Sequence, residues 1–123
     1  MTARAERGAA ARLSGRRAEA WAAVWLMLRG YRILGFRLKT PQAEIDLLAK
    51  KGAVLAVVEV KRRTTIEAAL EAVSGDQRER LRRAGAALAA RRPGLAACAV
   101  RLDLLAIAPG RLPRHVPDAW KGG

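Results

Sequence analysis

The chain carries one cysteine, Cys98, and one histidine, His115, in 123 residues. That excludes a disulfide within the chain and a Cys/His zinc site. Aromatic side chains are scarce at 4%, so the core must be built mostly from Ala, Leu and Val. Long apolar runs are missing too. The stretch Ala20 to Leu28 is far too short to cross a bilayer as a helix. Glu19 stands at its edge and no small-residue cleavage site follows before Arg29-Gly30, so it does not read as a signal peptide either. A cytoplasmic protein with no membrane contact is the default expectation.

Acidic residues are the other scarcity. Only 11 Asp and Glu stand against 24 Lys and Arg, giving a formal charge of +13 and a pI near 11.6. A balance this basic favours a polyanionic partner, most simply nucleic acid. The layout is more telling than the total. Residues 1–40 hold 9 Lys/Arg and 2 Asp/Glu, residues 41–77 hold 5 and 6, and residues 78–123 hold 10 and 3. An acidic centre lies between two basic flanks, as a phosphate-binding site with a cation would require.

Two apolar runs inside that centre carry charges where a buried strand should carry methyl groups. They are Glu44-Ile45-Asp46-Leu47-Leu48 and Val57-Val58-Glu59-Val60-Lys61. A carboxylate left alone in an apolar interior neutralises unless a partner offsets the cost. Residues 43–49 and 54–62 read as an antiparallel pair, and parity then decides whether the charges meet. With a loop at Lys51-Gly52, Asp46 opposes Val57 and Glu59 is its diagonal neighbour. With a loop of residues 51–54, Asp46 opposes Glu59 directly. Either even loop sets Asp46, Glu59 and Lys61 on one face, whereas an odd loop separates them.

The rest reads as scaffold. Residues 1–13 are Ala/Arg-rich with no stable apolar face and are expected to form a mobile basic tail before one domain over 14–120. Ser14 caps a helix running to about Leu28, and Gly30 ends it. Trp21, Val24, Trp25 and Leu28 form one stripe of that helix; Glu19, Ala22, Ala23 and Leu26 form the next. An apolar surface that wide predicts packing on more than one side. Tyr31 to Leu38 is a first strand, broken by Thr40-Pro41-Gln42. Residues 66–73 form a short helical or irregular segment. Ser74-Gly75-Asp76-Gln77 has capping-box spacing and opens a helix to about Ala90, with Leu81, Ala84 and Leu88 toward the sheet. Ala97 to Ala108 is a further strand, in which Arg101 and Asp103 share a face and pair. Trp120 anchors the last segment.

Phosphodiester hydrolysis needs an activated water, neutralised phosphoryl oxygens and help for the leaving oxygen. A hard divalent cation, Mg²⁺ or Mn²⁺, supplies these when held by carboxylate oxygens. Asp46 and Glu59 are the expected ligands, with the backbone carbonyl of Val60. Lys61 is placed to orient the water or stabilise developing charge, and Glu19 can complete the acidic cluster from the helix. Arg37, Arg62, Arg63, Arg78 and Arg82 are the expected phosphate contacts. The shortage of aromatics argues against base-specific reading.

As a set, Gly15-x-x-x-Glu19, Arg29-Gly30-Tyr31, Glu44-Ile45-Asp46-Leu47, Val58-Glu59-Val60-Lys61-x-Arg63, Arg101-Leu102-Asp103 and Asp118-Ala119-Trp120 closely resemble the YraN family. These are bacterial endonuclease-like proteins similar in fold to archaeal Holliday junction resolvases. The resemblance covers about residues 14–120. It implies a restriction-endonuclease-like (PD-(D/E)xK) fold, a mixed sheet flanked by helices, in which Glu19, Asp46, Glu59 and Lys61 match the catalytic constellation. It further implies a metal-dependent nuclease acting on branched or structured DNA, in keeping with a homodimer. The alternative is a non-catalytic nucleic-acid-binding module of the same fold. Two positions depart from the family pattern: Ala43 stands where Gly is usual, and Gln77 where a Lys is usual.

Overall fold

Backbone hydrogen bonds set where each element stops, and the first helix shows how. In a computed structural model, residues 3–121 are described, with side chains from Gly15 onward. Helix α1 spans Ala3–Leu28. It ends where Gly30 takes φ +90 and the Tyr31 and Gly30 amides donate to the Leu26 and Met27 carbonyls, both at 3.0 Å. That pair of bonds is a Schellman closure, which favours glycine because a left-handed residue is needed. The expected cap at Ser14 is overturned. Residues 3–13 consist largely of Ala, Arg, Glu and Leu, strong helix formers that continue the helix without an apolar face to dock. The tail expected over residues 1–13 falls on side chains outside the described residues.

Strands β1 (Arg32–Lys39), β2 (Glu44–Lys51) and β3 (Val54–Arg62) follow in antiparallel succession. Thr40 makes the β1–β2 corner, its hydroxyl accepting from the Ala43 amide at 3.0 Å. Two helices come next, α2 (Ile66–Glu71) and α3 (Gly75–Arg91), capped by the Thr65 and Ser74 side chains. Strand β4 (Ala99–Ile107) then runs parallel to β3, and β5 (Arg114–Val116) closes the edge antiparallel to β4. The result is an α/β fold: a mixed five-stranded sheet in the order β1-β2-β3-β4-β5 with helices on both faces.

Alternation along the strands sorts the core into two layers. Ala22, Ala23 and Leu26 of α1 meet Leu47, Ala49, Ala56, Val58 and Leu105 on one face. Leu81, Ala84 and Leu88 of α3 meet Leu48, Leu55, Val57, Leu102 and Leu104 on the other, as the spacing predicts. Gly85 brings α3 close, since a Cβ there would lie 2.7 Å from Val57 and 2.8 Å from Val100. The expectation that α1 packs on several sides does not hold. Its alanine stripe is buried, while Trp21 is 58% and Leu28 77% exposed. Small side chains let the helix sit close to the sheet, and no described element covers its far side. No helix among the described residues is long and apolar enough to cross a membrane.

Candidate metal and nucleic-acid site

The β2–β3 hairpin closes on Gly52-Ala53, with Lys51 paired to Val54 and Gly52 at the positive φ of 58 that such tight turns need. This is the register of the longer-loop alternative, wound one pair tighter. Its last ladder pair is Leu47 with Val58, and the next step sets Asp46 against Glu59. The ladder stops there because a side chain replaces the backbone acceptor: the Val60 amide donates to Asp46 Oδ2 at 3.0 Å. Alternation in β2 is also broken at this end. Ile45 packs with the α3 layer although Leu47 and Ala49 belong to the α1 layer. Asp46 thereby lines a groove together with Gly15, Ala18 and Glu19 of α1.

Glu59 is 2% exposed. Its Oε2 lies 3.4 Å from Gln77 Nε2 and 3.9 Å from Lys61 Nζ. Its Oε1 is buried without a hydrogen-bond partner among the described residues. Burial, then the charge of Asp46, pushes the Glu59 carboxyl up to about 8, and Lys61 only partly opposes this. Asp46 is also raised, by burial, against the lowering effects of the Val60 amide and Lys61. Two neighbouring carboxyls that resist ionising together and share a hydrogen bond, one of them almost fully buried, fit a cation. Among the described residues no three Asp, Glu, His or Cys side chains form a metal-holding group. A cation here would take two carboxylates, the Val60 carbonyl and water, a hard-oxygen set that suits Mg²⁺ or Mn²⁺.

The other expected site residues divide. Arg62, Arg63 and Lys61 line the same groove, a cavity of about 590 Å³ that also includes Thr64 and Pro109. Glu19 borders it too, although its carboxylate is paired with Arg37 Nε at 3.0 Å. Arg37 itself sits at φ 47, a left-handed conformation rare for a residue with a Cβ. Arg78 and Arg82 do not line the groove. Arg82 donates to the Trp120 carbonyl at 3.1 Å, and the Arg78 guanidinium lies 5.8 Å from the Trp120 ring centre. Trp120 is an anchor as expected, donating through Nε1 to the Leu70 carbonyl at 3.2 Å.

Gln77 is the site residue that the sequence concealed. Its amide N–H takes the Ser74 cap at 3.1 Å, while its side chain turns to Glu59 instead of back to the cap. The S-x-x-Q spacing explained Gln77 as a cap, and its standing where the resembled family usually has Lys was the one signal of a second use. Asp103 is the reverse case, a buried carboxylate with every need met. Arg101 grips it through two bonds of 2.8 Å, His115 Nε2 lies 2.8 Å away, and the Asp118 amide donates at 2.9 Å. Burial raises its pKa, but the His115 and Arg101 hydrogen bonds outweigh this and hold the group below the usual carboxylate range. This is the structural pair expected of Arg101 and Asp103, enlarged by Tyr31, whose hydroxyl accepts from Arg101 at 2.6 Å.

Known proteins place this arrangement in a wider set. A "UPF0102 protein" of Caulobacter vibrioides (strain NA1000 / CB15N) is 70% identical over 119 residues, covering 97% of this chain and 95% of the relative. Another, from Caulobacter sp. (strain K31), is 71% identical over 114 residues, 93% of this chain and 82% of its own length. A third, from Paramagnetospirillum magneticum (strain ATCC 700264 / AMB-1), is 50% identical over 116 residues, covering 91% and 90%. The family description "Uncharacterised protein family UPF0102" matches residues 18–107, the span that carries Glu19, Asp46, Glu59 and Lys61. With that match and relatives of such identity along nearly the whole length, the chain belongs to UPF0102, which is the YraN family.

Proposed function

We propose that this protein is a metal-dependent nuclease with a restriction-endonuclease-like (PD-(D/E)xK) core. Its reaction is hydrolysis of phosphodiester bonds in branched or otherwise structured DNA. One observation carries the reading: the carboxyls of Asp46 and Glu59 lie within hydrogen-bond reach of each other where the β2–β3 ladder ends, beside Lys61, with Glu59 almost fully buried. A packing role alone gives no reason to bury two carboxyls against each other.

A Mg²⁺ or Mn²⁺ ion held by Asp46, Glu59 and the Val60 carbonyl would supply an activated water and neutralise charge on the phosphoryl oxygens. The chain's own residues do the rest. The Val60 amide fixes the Asp46 carboxylate, and Gln77 restrains the Glu59 carboxyl. Lys61, 24% exposed and on the Glu59 face, holds an ammonium where it can orient a water or stabilise an oxyanion. Arg62 and Arg63 give the phosphate backbone its grip at the groove wall.

The test is cleavage of junction, nicked and single-stranded DNA with Mg²⁺ or Mn²⁺ by wild type and Glu59→Gln. A loss of about 100-fold or more in the variant is expected. Equal residual cleavage in both would assign it to a contaminant and end the enzyme reading. A specific contact supports the second reading, a non-catalytic nucleic-acid-binding module. Arg37 already pairs with Glu19, and among the described residues no third acidic group closes the cluster. That reading expects tight, salt-sensitive DNA binding that Glu59→Gln leaves unchanged, with no cleavage from either protein.

A further inference from the structure

A second cavity of about 570 Å³ adjoins the groove and shares Ala18, Arg62 and Pro109 with it. Its size falls within the range of roughly 300–1,000 Å³ typical of small-ligand sites. Trp21 lines it and is 58% exposed, and Leu112 lines it and is 70% exposed. Arg17, Arg62 and Arg111 also line it, and no described carboxylate pairs with any of their guanidiniums. An exposed indole beside arginines that have no described carboxylate partner offers an apolar face and positive charge together, which suits a flat, anionic ligand. A protein partner would need acidic groups spaced to meet three arginines around one indole. A nucleotide carries a stacking base and an anionic phosphate in one covalent unit.

We propose that this cavity receives an unpaired nucleotide, its base stacked on Trp21 against Leu112 and its flanking phosphates held by Arg17, Arg62 and Arg111. The occupant is single-stranded DNA beside a duplex, since a paired base cannot present its face to an indole. Its placement next to the cleaved bond rests on the nuclease reading above. Arg62 belongs to both cavities, so the strand passes from the stacking position to the carboxylates without leaving a basic wall.

The experiment compares two labelled hairpins, one blunt and one ending in a short single-stranded adenine overhang, by fluorescence anisotropy in EDTA. Wild type should bind the overhang hairpin about 10-fold more tightly, in line with the roughly 1–3 kcal/mol measured for one base on an aromatic platform. Trp21→Ala should abolish that preference and leave blunt-hairpin affinity unchanged, while Trp21→Phe keeps most of it. Arg111→Gln should weaken the overhang hairpin more than the blunt one and lower the overhang hairpin's salt slope by about 1. The proposal is overturned if wild type shows no preference, or if Trp21→Ala weakens both hairpins equally. It is also overturned if Trp21→Ala instead halves the solution mass with the preference intact, which would give the face to a second copy of the chain. Because EDTA removes any cation, a preference that persists in a protein showing no cleavage upholds this inference and fails only the nuclease reading.

Discussion

Glu59 shows how one side chain can set the conditions under which the molecule works. Its carboxyl is pushed up to about 8 first by burial and then by Asp46, and on the proposed function it must lose that proton before a cation can take its place. Metal affinity should therefore be weak at about pH 6 and rise through about pH 8, and Glu59→Gln should remove this dependence with the affinity. Calorimetric titration of Mg²⁺ at several pH values checks the slope; affinity that is flat with pH would contradict it. Asp103 has the opposite sign. Its folded-state pKa is depressed, so the stability it adds is present above the ordinary carboxylate value near 3.8 and is lost as pH falls through the depressed value. Asp103→Ala leaves Arg101 and His115 without their partner and should cost about 3 kcal/mol near neutral pH, read by urea denaturation. The same variant should shrink the acid-induced loss of stability, a change that a simple cavity would not produce.

At the scale of elements, the fold depends on how closely helices approach the sheet. Gly85 is the narrowest point of the α3 layer, with Val57 and Val100 inside the distance any Cβ tolerates. Gly85→Ala would gain helix propensity at an exposed position, yet here it should destabilise by about 1–3 kcal/mol through overpacking. A rise in the urea midpoint would show that α3 can move outward freely. Helix α1 makes the opposite use of small residues, burying Ala18, Ala22 and Ala23 and leaving Trp21, Val24 and Leu28 toward water. Trp25 of the same stripe tucks partly against the α1-side core, while Trp21 is left outward.

For the whole molecule the relevant quantity is a charge of +13 arranged around an acidic centre. DNA binding should fall steeply with salt, because each neutralised phosphate releases counterions. Replacing Arg62 and Arg63 together by Gln should lower the slope of log affinity against log salt by about 2, measured on a blunt duplex. The same pair of changes at Arg78 and Arg82 should alter the slope less, since those arginines hold Trp120 and do not line the groove. An equal drop for both pairs would mean that the duplex covers the α3 flank as well.

Much of this was written in the sequence, because the signals are local. Alternation, turn residues and caps fix strands, the tight hairpin and the start of α3 through hydrogen bonds between residues close along the chain. Loop parity gave the register that steps from Leu47–Val58 toward Asp46 and Glu59, but the break in alternation at Ile45 was not legible in the strand pattern. What only the tertiary structure decided are the contacts between distant segments. These include the turn of Gln77 toward Glu59. They also include the pairing of Glu19 with Arg37 and the choice of alanines over tryptophan as the buried face of α1. Spacing along a chain says which side chains share a face; which partner each face meets depends on shape and charge brought together from elsewhere.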